Sequence, residues 1–404
     1  MAELSILMVA DVSPLELHGG AARVLREQSR GLRARGHRVE VLCRRPGPLA
    51  PARADMDGVS VTQYDVSRAH PATFFVSSIL GARRAFARSL SHCRWDAVVF
   101  HQPLSALGLR RTLPRATPTV YVFHSPAAIE YRIRATHPDS SHPPLGVGVV
   151  CALLGWAEGA GLRSSRRVVV LSEFSRRTLL GIHGSLAASI VKIPGGVDLT
   201  RFRPPVDRAT AREGLGIPRN GLLLFTVRDL EPRAGVDALI RAVALVRNDL
   251  TVRLVIGGEG RLRARLETLV GDLGVRDIIR FDGLIPEADL PRYYGGADAF
   301  VLPTRELEGF GLVTVEALAC GTPVLGTPVG ATPEILAPLA PELLTDDASP
   351  EALAQGMRRA ARLFQDPGFR ARCRAHAERH YGWPSAVARL EEVLAEVAQE
   401  SPPR

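Results

Sequence analysis

The stretch ELEGFGLVTVEALACGTP, Glu306–Pro323, sets two carboxylates, Glu308 and Glu316, around Gly309-Phe310-Gly311. It follows a short apolar run, AFVLPT (Ala299–Thr304), and passes directly into an apolar helical stretch that begins near Gly311. A glycine loop at a helix start suits an anion: the first amides point along the axis, the dipole favours negative charge, and glycine lets the backbone come close. Carboxylates repel an anion, but they accept hydrogen bonds from paired hydroxyls. The pattern therefore predicts a ligand with a diphosphate between two polyols, as in a nucleoside diphosphate sugar. Glu316, about one turn into the helix, would take the ribose diol. Glu308 would take hydroxyls beyond the diphosphate, and the backbone of Gly309, Phe310, Gly311, Leu312 and Val313 would hold the phosphates. Either glutamate alone reads as an ordinary surface residue; the pair with its flanking runs does not.

Around this stretch the chain alternates strand and helix in two similar halves. ILMVADV, HRVEVLCRR, DAVVFHQP, PTVYVFHS and RVVVLSEFS are short apolar, β-branched runs in the first half, with helical stretches such as AARVLREQSRGLRARG and FFVSSILGARRAFARSL beside them. LLLFTVRDL, TVRLVIGGEG, IIRFDGL, AFVLPT and PVLGTPV repeat the pattern in the second. Continuous apolar strands separated by helices predict parallel sheets covered on both faces, an α/β protein of two Rossmann-like halves, with ligands at the carboxyl ends of the strands. The Pro-, Gly- and charge-rich segment Ile193–Asn220 reads as a linker. The expected domains are residues 1–198 and 199–382. Helix 383–399 is expected to pack back on the first domain, and the terminal SPPR to fray.

Composition narrows the function. The chain has 404 residues, 46% hydrophobic and 23% charged, as in ordinary globular proteins. Its five cysteines, Cys43, Cys93, Cys151, Cys320 and Cys373, include no CxxC pair, so neither a disulfide framework nor a zinc site is expected. The start, MAELSILMVADV, lacks a basic leader region, and a cytoplasmic location is expected. PLGVGVVCALLGWA (Pro144–Ala157) is too short to span a membrane and reads as a buried helix. The net charge of +9 comes almost wholly from arginine, with Lys192 the only lysine. That bias points to GC-rich bacterial DNA rather than to a nucleic-acid partner, because the arginines are dispersed, aromatics are sparse and no nucleic-acid motif occurs. Arg23, Arg26, Arg30 and Arg33 lie near one face of the first helix and read as a solvated face in preference to a membrane contact.

The Glu308–Glu316 stretch resembles the Glu–seven residues–Glu motif of retaining glycosyltransferases of the GT-B fold, in particular glycosyltransferase family 4. The similarity runs through nearly the whole chain. HGGAARVL, VVVLSEFSRRTLL, IPGGVDLTRFRP, VIGGEGRLRARLETL, FDGLIPEADLPRYYGGADAFVLPT and GTPVLGTPVGATPEIL resemble family segments in the family's order. The resemblance implies two Rossmann-like domains with a cleft between them, the first taking the acceptor and the second the nucleotide sugar. It implies transfer of a hexose-type sugar from a nucleoside diphosphate donor, UDP or GDP, to an acceptor hydroxyl with retained anomeric configuration and no metal ion. An aminocyclitol or other natural product, a glycan or a lipid-linked glycan is the expected acceptor. Two alternatives remain open: a sugar-nucleotide epimerase of the same fold, and a silent nucleotide-sugar-binding protein.

The resemblance also assigns further residues. TVRDLEPRAGVD is similar to a basic diphosphate clamp, with Arg228 after the first strand of the second half. Ala234 stands where the family often has a lysine, and Arg233 is the expected substitute. His18-Gly19-Gly20 resembles the family's glycine loop, so Gly19 and Gly20 would present amides to the diphosphate. His124, at the end of PTVYVF, is similar to the family's active-site histidine near the donor sugar. His101 has the same placement and would touch the acceptor. Other signals are set aside. Asp55–Asp57 precedes Gly58 and reads as a tight turn, not a metal motif. His376 and His380 lack the HExxH pattern, and Gly257–Gly260 lacks dinucleotide spacing.

Overall fold

The computed structural model describes residues 2–16, 19–136, 146–186, 188–218 and 221–400. They fall into two compact units. The first takes the described residues of Met1–Thr136, His142–Gly195 and Trp383–Arg404; the second takes those of Gly196–Gly382. The SPPR end and His18 lie outside the described residues.

In the first unit the strands are β1 (Ser5–Ala10), β2 (Arg38–Arg44), β3 (Arg53–Met56), β4 (Val59–Tyr64), β5 (Ala97–Phe100), β6 (Thr119–Phe123), β7 (Arg167–Val170) and β8 (Ser189–Lys192). They form one sheet in the order β3-β4-β2-β1-β5-β6-β7-β8. Neighbours are parallel except for the β3–β4 hairpin, where Asp57 and Gly58 take positive φ and the Gly58 amide donates to Asp55 Oδ1 at 3.0 Å. The helices are α1 (Gly20–Ala34), α2 (Pro71–Ser89), α3 (Pro103–Leu109), α4 (Ala127–Thr136), α5 (Val147–Ser164) and α6 (Glu173–His183). Ile6–Ala10 are wholly enclosed, because helices cover both faces of β1. Helix α1 buries Val24, Leu25, Gln28, Ser29 and Leu32 at helical spacing, and Gly36, at φ 93, turns the chain into β2.

In the second unit the chain runs through α7 (Arg208–Glu213), β9 (Leu222–Val227), α8 (Val236–Val246), β10 (Val252–Gly257), α9 (Arg263–Asp272), β11 (Ile279–Gly283) and α10 (Leu290–Gly296). It continues through β12 (Ala299–Leu302), α11 (Leu312–Ala319), β13 (Val324–Gly326), α12 (Thr332–Leu336), α13 (Pro350–Gln365) and α14 (Pro367–His380). The sheet order is β11-β10-β9-β12-β13, all parallel. Its centre is an aromatic knot in which Phe225, Tyr294 and Phe300 meet edge to face with centroids 5.4–5.8 Å apart. Each such buried ring contributes roughly 1.5–3 kcal/mol by its burial.

The last helix, α15 (Trp383–Gln399), belongs to the first unit. It lies on α1, and its buried Glu391 accepts from Arg35 Nε and pairs with His37 Nε2 at 2.8 Å.

Two expectations need correction. The segment read as a linker is packed structure: Phe202 is buried, α7 forms within it, and Arg212 ion-pairs with buried Asp298. Proline and charge marked a change of direction there, not a lack of contacts. The apolar run ending at Ala157 is not wholly buried. Its residues from Val147 onward form the first half of α5, where Val149, Leu153 and Trp156 are exposed. Apolar composition alone does not say which side of a helix the core will cover.

Sheet order also says where ligands go. In each unit the chain starts at a central strand, builds one side of the sheet, then returns to build the other. That reversal lies between β1 and β5 in the first unit and between β9 and β12 in the second. Loops leave in opposite directions at such a point and open a crevice at the strands' carboxyl ends.

Candidate functional site

In the second unit the reversal brings together Arg228, just after β9, and the loop after β12 that carries Glu308. Arg228 Nη2 donates to Glu308 Oε2 at 2.9 Å, and the Thr304 hydroxyl donates to the same oxygen at 3.0 Å. Both charged side chains are about nine-tenths enclosed, 9% and 10% exposed. A carboxylate so enclosed needs its charge matched, and the guanidinium supplies this. Among the described residues Glu308 Oε1 has no hydrogen-bond partner, which leaves one carboxylate oxygen to accept from a ligand. Arg233, in a short turn of 3-10 helix at Pro232–Ala234, donates from Nη1 to the Leu307 carbonyl at 3.1 Å. The two expected cations thus both reach the Glu308 loop, one at the side chain and one at the backbone.

The loop is held in an uncommon shape. Leu307 has φ 54, a left-handed conformation that costs a non-glycine residue on the order of 1–3 kcal/mol. Gly311, φ 88, turns the chain into α11 as its N-cap. The Ala331 amide donates to the Glu308 carbonyl at 2.8 Å, and Gly330 lies so close that a Cβ there would sit 2.2 Å from that oxygen. Gly330 is therefore part of how the loop is made. Phe310 is buried edge-on against Tyr381, with centroids 5.8 Å apart, and Leu312 and Val313 form the first turn of α11.

Glu316 lies further along α11 and is 2% exposed. The Tyr294 hydroxyl donates to its Oε2 at 3.0 Å. Tyr294 is wholly enclosed in the aromatic knot, so the carboxylate it holds is fixed as firmly as the core itself.

In the first unit the reversal gathers Asp11, His101 and His124. Asp11 follows β1 and is buried. Its carboxylate accepts from the amides of Leu104 and Ser105, each at 2.9 Å, and from the Tyr64 hydroxyl at 3.0 Å. It thereby caps α3 and fixes the turn that carries His101. His101 Nδ1 lies 3.1 Å from His124 Nε2, with the rings stacked at 5.3 Å. Burial pushes the His124 pKa down to about 4; burial, followed by the neighbouring ring, pushes His101 well below the ordinary value. Both rings are thus neutral at neutral pH, and one N–H is shared between the facing nitrogens. His101 is 1% exposed, and its Nε2 has no hydrogen-bond partner among the described residues. So enclosed, the His101 ring packs against His124, and that is the contact the structure gives it. The chain leaving His124 is pinned at the Ala127 amide, which donates to buried Glu158 Oε1 at 3.1 Å, while Glu158 Oε2 meets His183 Nε2 at 2.9 Å.

Gly19, φ 82, is the N-cap of α1, and Gly20 is that helix's first residue; both are exposed.

Three residues escaped the sequence reading. Thr304 and Tyr294 hold the two glutamates, and Asp11 holds the turn at His101. Asp11 stands at a strand's carboxyl end, the same signal that singled out both histidines. Tyr294 gave no local signal, because its partner lies a strand and a loop away.

Two family models divide the chain between them. Glycosyltransferase Family 4 matches residues 18–201, and Glycosyl transferases group 1 matches residues 207–380. Over 397 residues the chain is 32% identical to the D-inositol 3-phosphate glycosyltransferase of Frankia alni, covering 92% of each protein. The chain belongs to glycosyltransferase family 4. It is accordingly a glycosyltransferase, an enzyme of the nucleotide-sugar-dependent kind. A second family 4 relative, the D-inositol 3-phosphate glycosyltransferase of Thermobispora bispora, is 29% identical over 402 residues, 94% of this chain and 90% of the relative. Sucrose-phosphate synthase from Thermosynechococcus elongatus superposes with a TM-score of 0.81 at 22% identity, covering 98% of this chain and all of that one. Anabaena HepE in complex with UDP-glucose gives 0.73 at 18% identity, covering 97% and 99%. The family 4 enzyme has the GT-B fold of these neighbours.

Proposed function

We propose that this family 4 enzyme moves a hexose-type sugar from a nucleoside diphosphate donor to a hydroxyl of a cyclitol-type acceptor, with retained anomeric configuration and without a metal ion. The observation that carries the reading is the Glu308 carboxylate, with Oε2 clamped by Arg228 and Thr304 and Oε1 left to accept a hydrogen bond.

In this reading Glu308 Oε1 takes hydroxyls of the donor hexose, and Glu316, held by Tyr294, takes the ribose diol. The amides from Gly309 to Val313, at the entry to α11, hold the diphosphate. Arg228 stands between that anion and Glu308 and neutralises charge as the diphosphate leaves; fixed cations placed before reaction need no reorganisation during it. Arg233 keeps its remaining N–H groups for the same anion while bracing Leu307. Gly19 and Gly20 add backbone amides. His124 donates to or accepts from the sugar as a neutral ring, and His101 sets which tautomer it holds. The acceptor attacks on the face the diphosphate leaves, a phosphate oxygen takes the acceptor's proton, and retention follows. Relatives named D-inositol 3-phosphate glycosyltransferases support a cyclitol acceptor, and the neighbour bound to UDP-glucose supports a uridine donor.

The test is a thermal-shift panel of UDP-, GDP-, dTDP- and ADP-sugars, followed by transfer assays with inositol phosphates and the product's anomeric configuration by NMR. A stabilising donor and a product of unchanged configuration are expected. Inverted product, or a changed free sugar released without acceptor, would overturn the reading.

A further inference from the structure

Helix α5 differs in burial along its length. From Ala157 to Leu162 every residue is buried. Ahead of them Val149 is 64% exposed, Leu153 41% and Trp156 53%, and Ala152 is exposed too. These positions follow the i, i+3, i+4, i+7 spacing of one helix face. A different side of the same turns is occupied, since Cys151 Sγ donates to the Ala128 carbonyl of α4 and Gly155 faces the Ala128 methyl.

Charge along this half of α5 is one-sided. Residues 146–157 contain no acid, and the next, Glu158, is buried and paired with His183. Arg163 comes two turns after Trp156 on the same stripe. Its guanidinium folds back over Gly159, with nitrogens 3.0 and 3.1 Å from where a Cβ would be. Arg110, at the end of α3, lies within electrostatic reach of both Arg111 and Arg163. On α4, Arg132 and Arg134 are exposed and Glu130 is half-buried. Among the described residues no helix is long and apolar enough to cross a membrane.

We propose that α5 docks the enzyme on an anionic lipid bilayer, with Val149, Leu153 and Trp156 entering the interface and Arg163 and Arg110 meeting headgroups. A tryptophan-bearing apolar stripe free of acids and ending in guanidinium groups has the chemistry of a helix lying in that plane. The inference does not depend on the donor-site reading, and its test does not use sugar transfer.

Trp95 and Trp383 are 6% and 7% exposed, so Trp156 is the tryptophan whose emission should respond to lipid. Phosphatidylcholine vesicles containing phosphatidylglycerol should co-sediment the protein and shift its emission to the blue, less so as salt is raised. Binding to phosphatidylcholine alone should be about tenfold weaker, because the arginine contribution is lost. Leu153→Gln/Trp156→Gln should bind at least about tenfold more weakly with unchanged circular dichroism and melting, and Arg163→Gln about fivefold more weakly. Three results would overturn the proposal: no binding to anionic vesicles, wild-type binding by the double variant, or a lipid-free dimer that the double variant converts to monomer. The last would assign the face to a second copy of the chain.

Discussion

The charged loop around Glu308 and the stacked imidazoles of His101 and His124 stand at equivalent points of their two sheets and are built on opposite electrostatics. The loop buries a full ion pair and tolerates a left-handed leucine to do so. The histidines bury two rings whose environment strips them of charge. A diphosphate brings negative charge that must be met by fixed cations, whereas sugar hydroxyls need only neutral donors and acceptors. Under the proposed reading, the second unit supplies the fixed cations for the leaving anion, and the neutral His124 ring of the first meets a sugar hydroxyl.

The largest effect expected is at the ion pair. Arg228→Ala and Glu308→Ala should each lower turnover by about 10²–10³-fold, the range for removing a preorganised electrostatic contact. Each single variant should also lose about 3 kcal/mol of stability, by leaving a buried partner unmatched. The double variant should recover much of that stability and none of the activity. Chemical denaturation alongside steady-state kinetics separates the two; near-wild-type transfer by either single variant would break the comparison.

Gly330→Ala comes next. A side chain at φ 65, placed against the Glu308 carbonyl, should cost about 1–3 kcal/mol and displace the loop. Its kcat should fall further than its melting temperature suggests. A fully active Gly330→Ala would mean that the loop's shape is not needed.

Tyr294→Phe should act more gently. It removes the hydroxyl that donates to buried Glu316, worth about 1–1.5 kcal/mol, which amounts to about a tenfold rise in donor KM. The readout that isolates the ribose is the preference for a nucleotide over its 2′-deoxy analogue, which should shrink in this variant. An unchanged preference would separate Glu316 from the ribose.

The smallest effect concerns pH. With folded-state values depressed, His124 to about 4, the native rings resist protonation while the unfolded rings accept it near the ordinary histidine value of about 6.5. Their contribution to stability is therefore complete above that value and is lost as pH falls toward 4. His124→Asn should flatten this part of a melting-temperature profile. Above pH 6.5 the rings should leave activity flat.

Much of this was legible in the sequence, for physical reasons that also mark the limit. The strands enclosed on both faces, such as Ile6–Ala10 and Leu222–Thr226, wrote themselves as unbroken apolar runs. The antiparallel β3 and the edge strand β8 did not: RADM and SIVK are half polar because one side of each meets water. The Glu308 and Glu316 pair stood out because loop, helix start and glycine spacing are local. What holds the pair came from elsewhere in the chain, Arg228 from β9 and Tyr294 from α10, and no local pattern encodes a contact made by sheet order. Helix α5 was misread for a related reason, since its apolar residues outnumber the positions its neighbours cover.

The most direct measurement is a crystal structure with an intact nucleoside diphosphate sugar bound. Glu308 Oε1 should lie about 3 Å from a hexose hydroxyl, with Arg228 against the diphosphate and Glu316 at the ribose diol. A donor bound with its hexose out of reach of Glu308, and its phosphates away from the start of α11, would contradict the account.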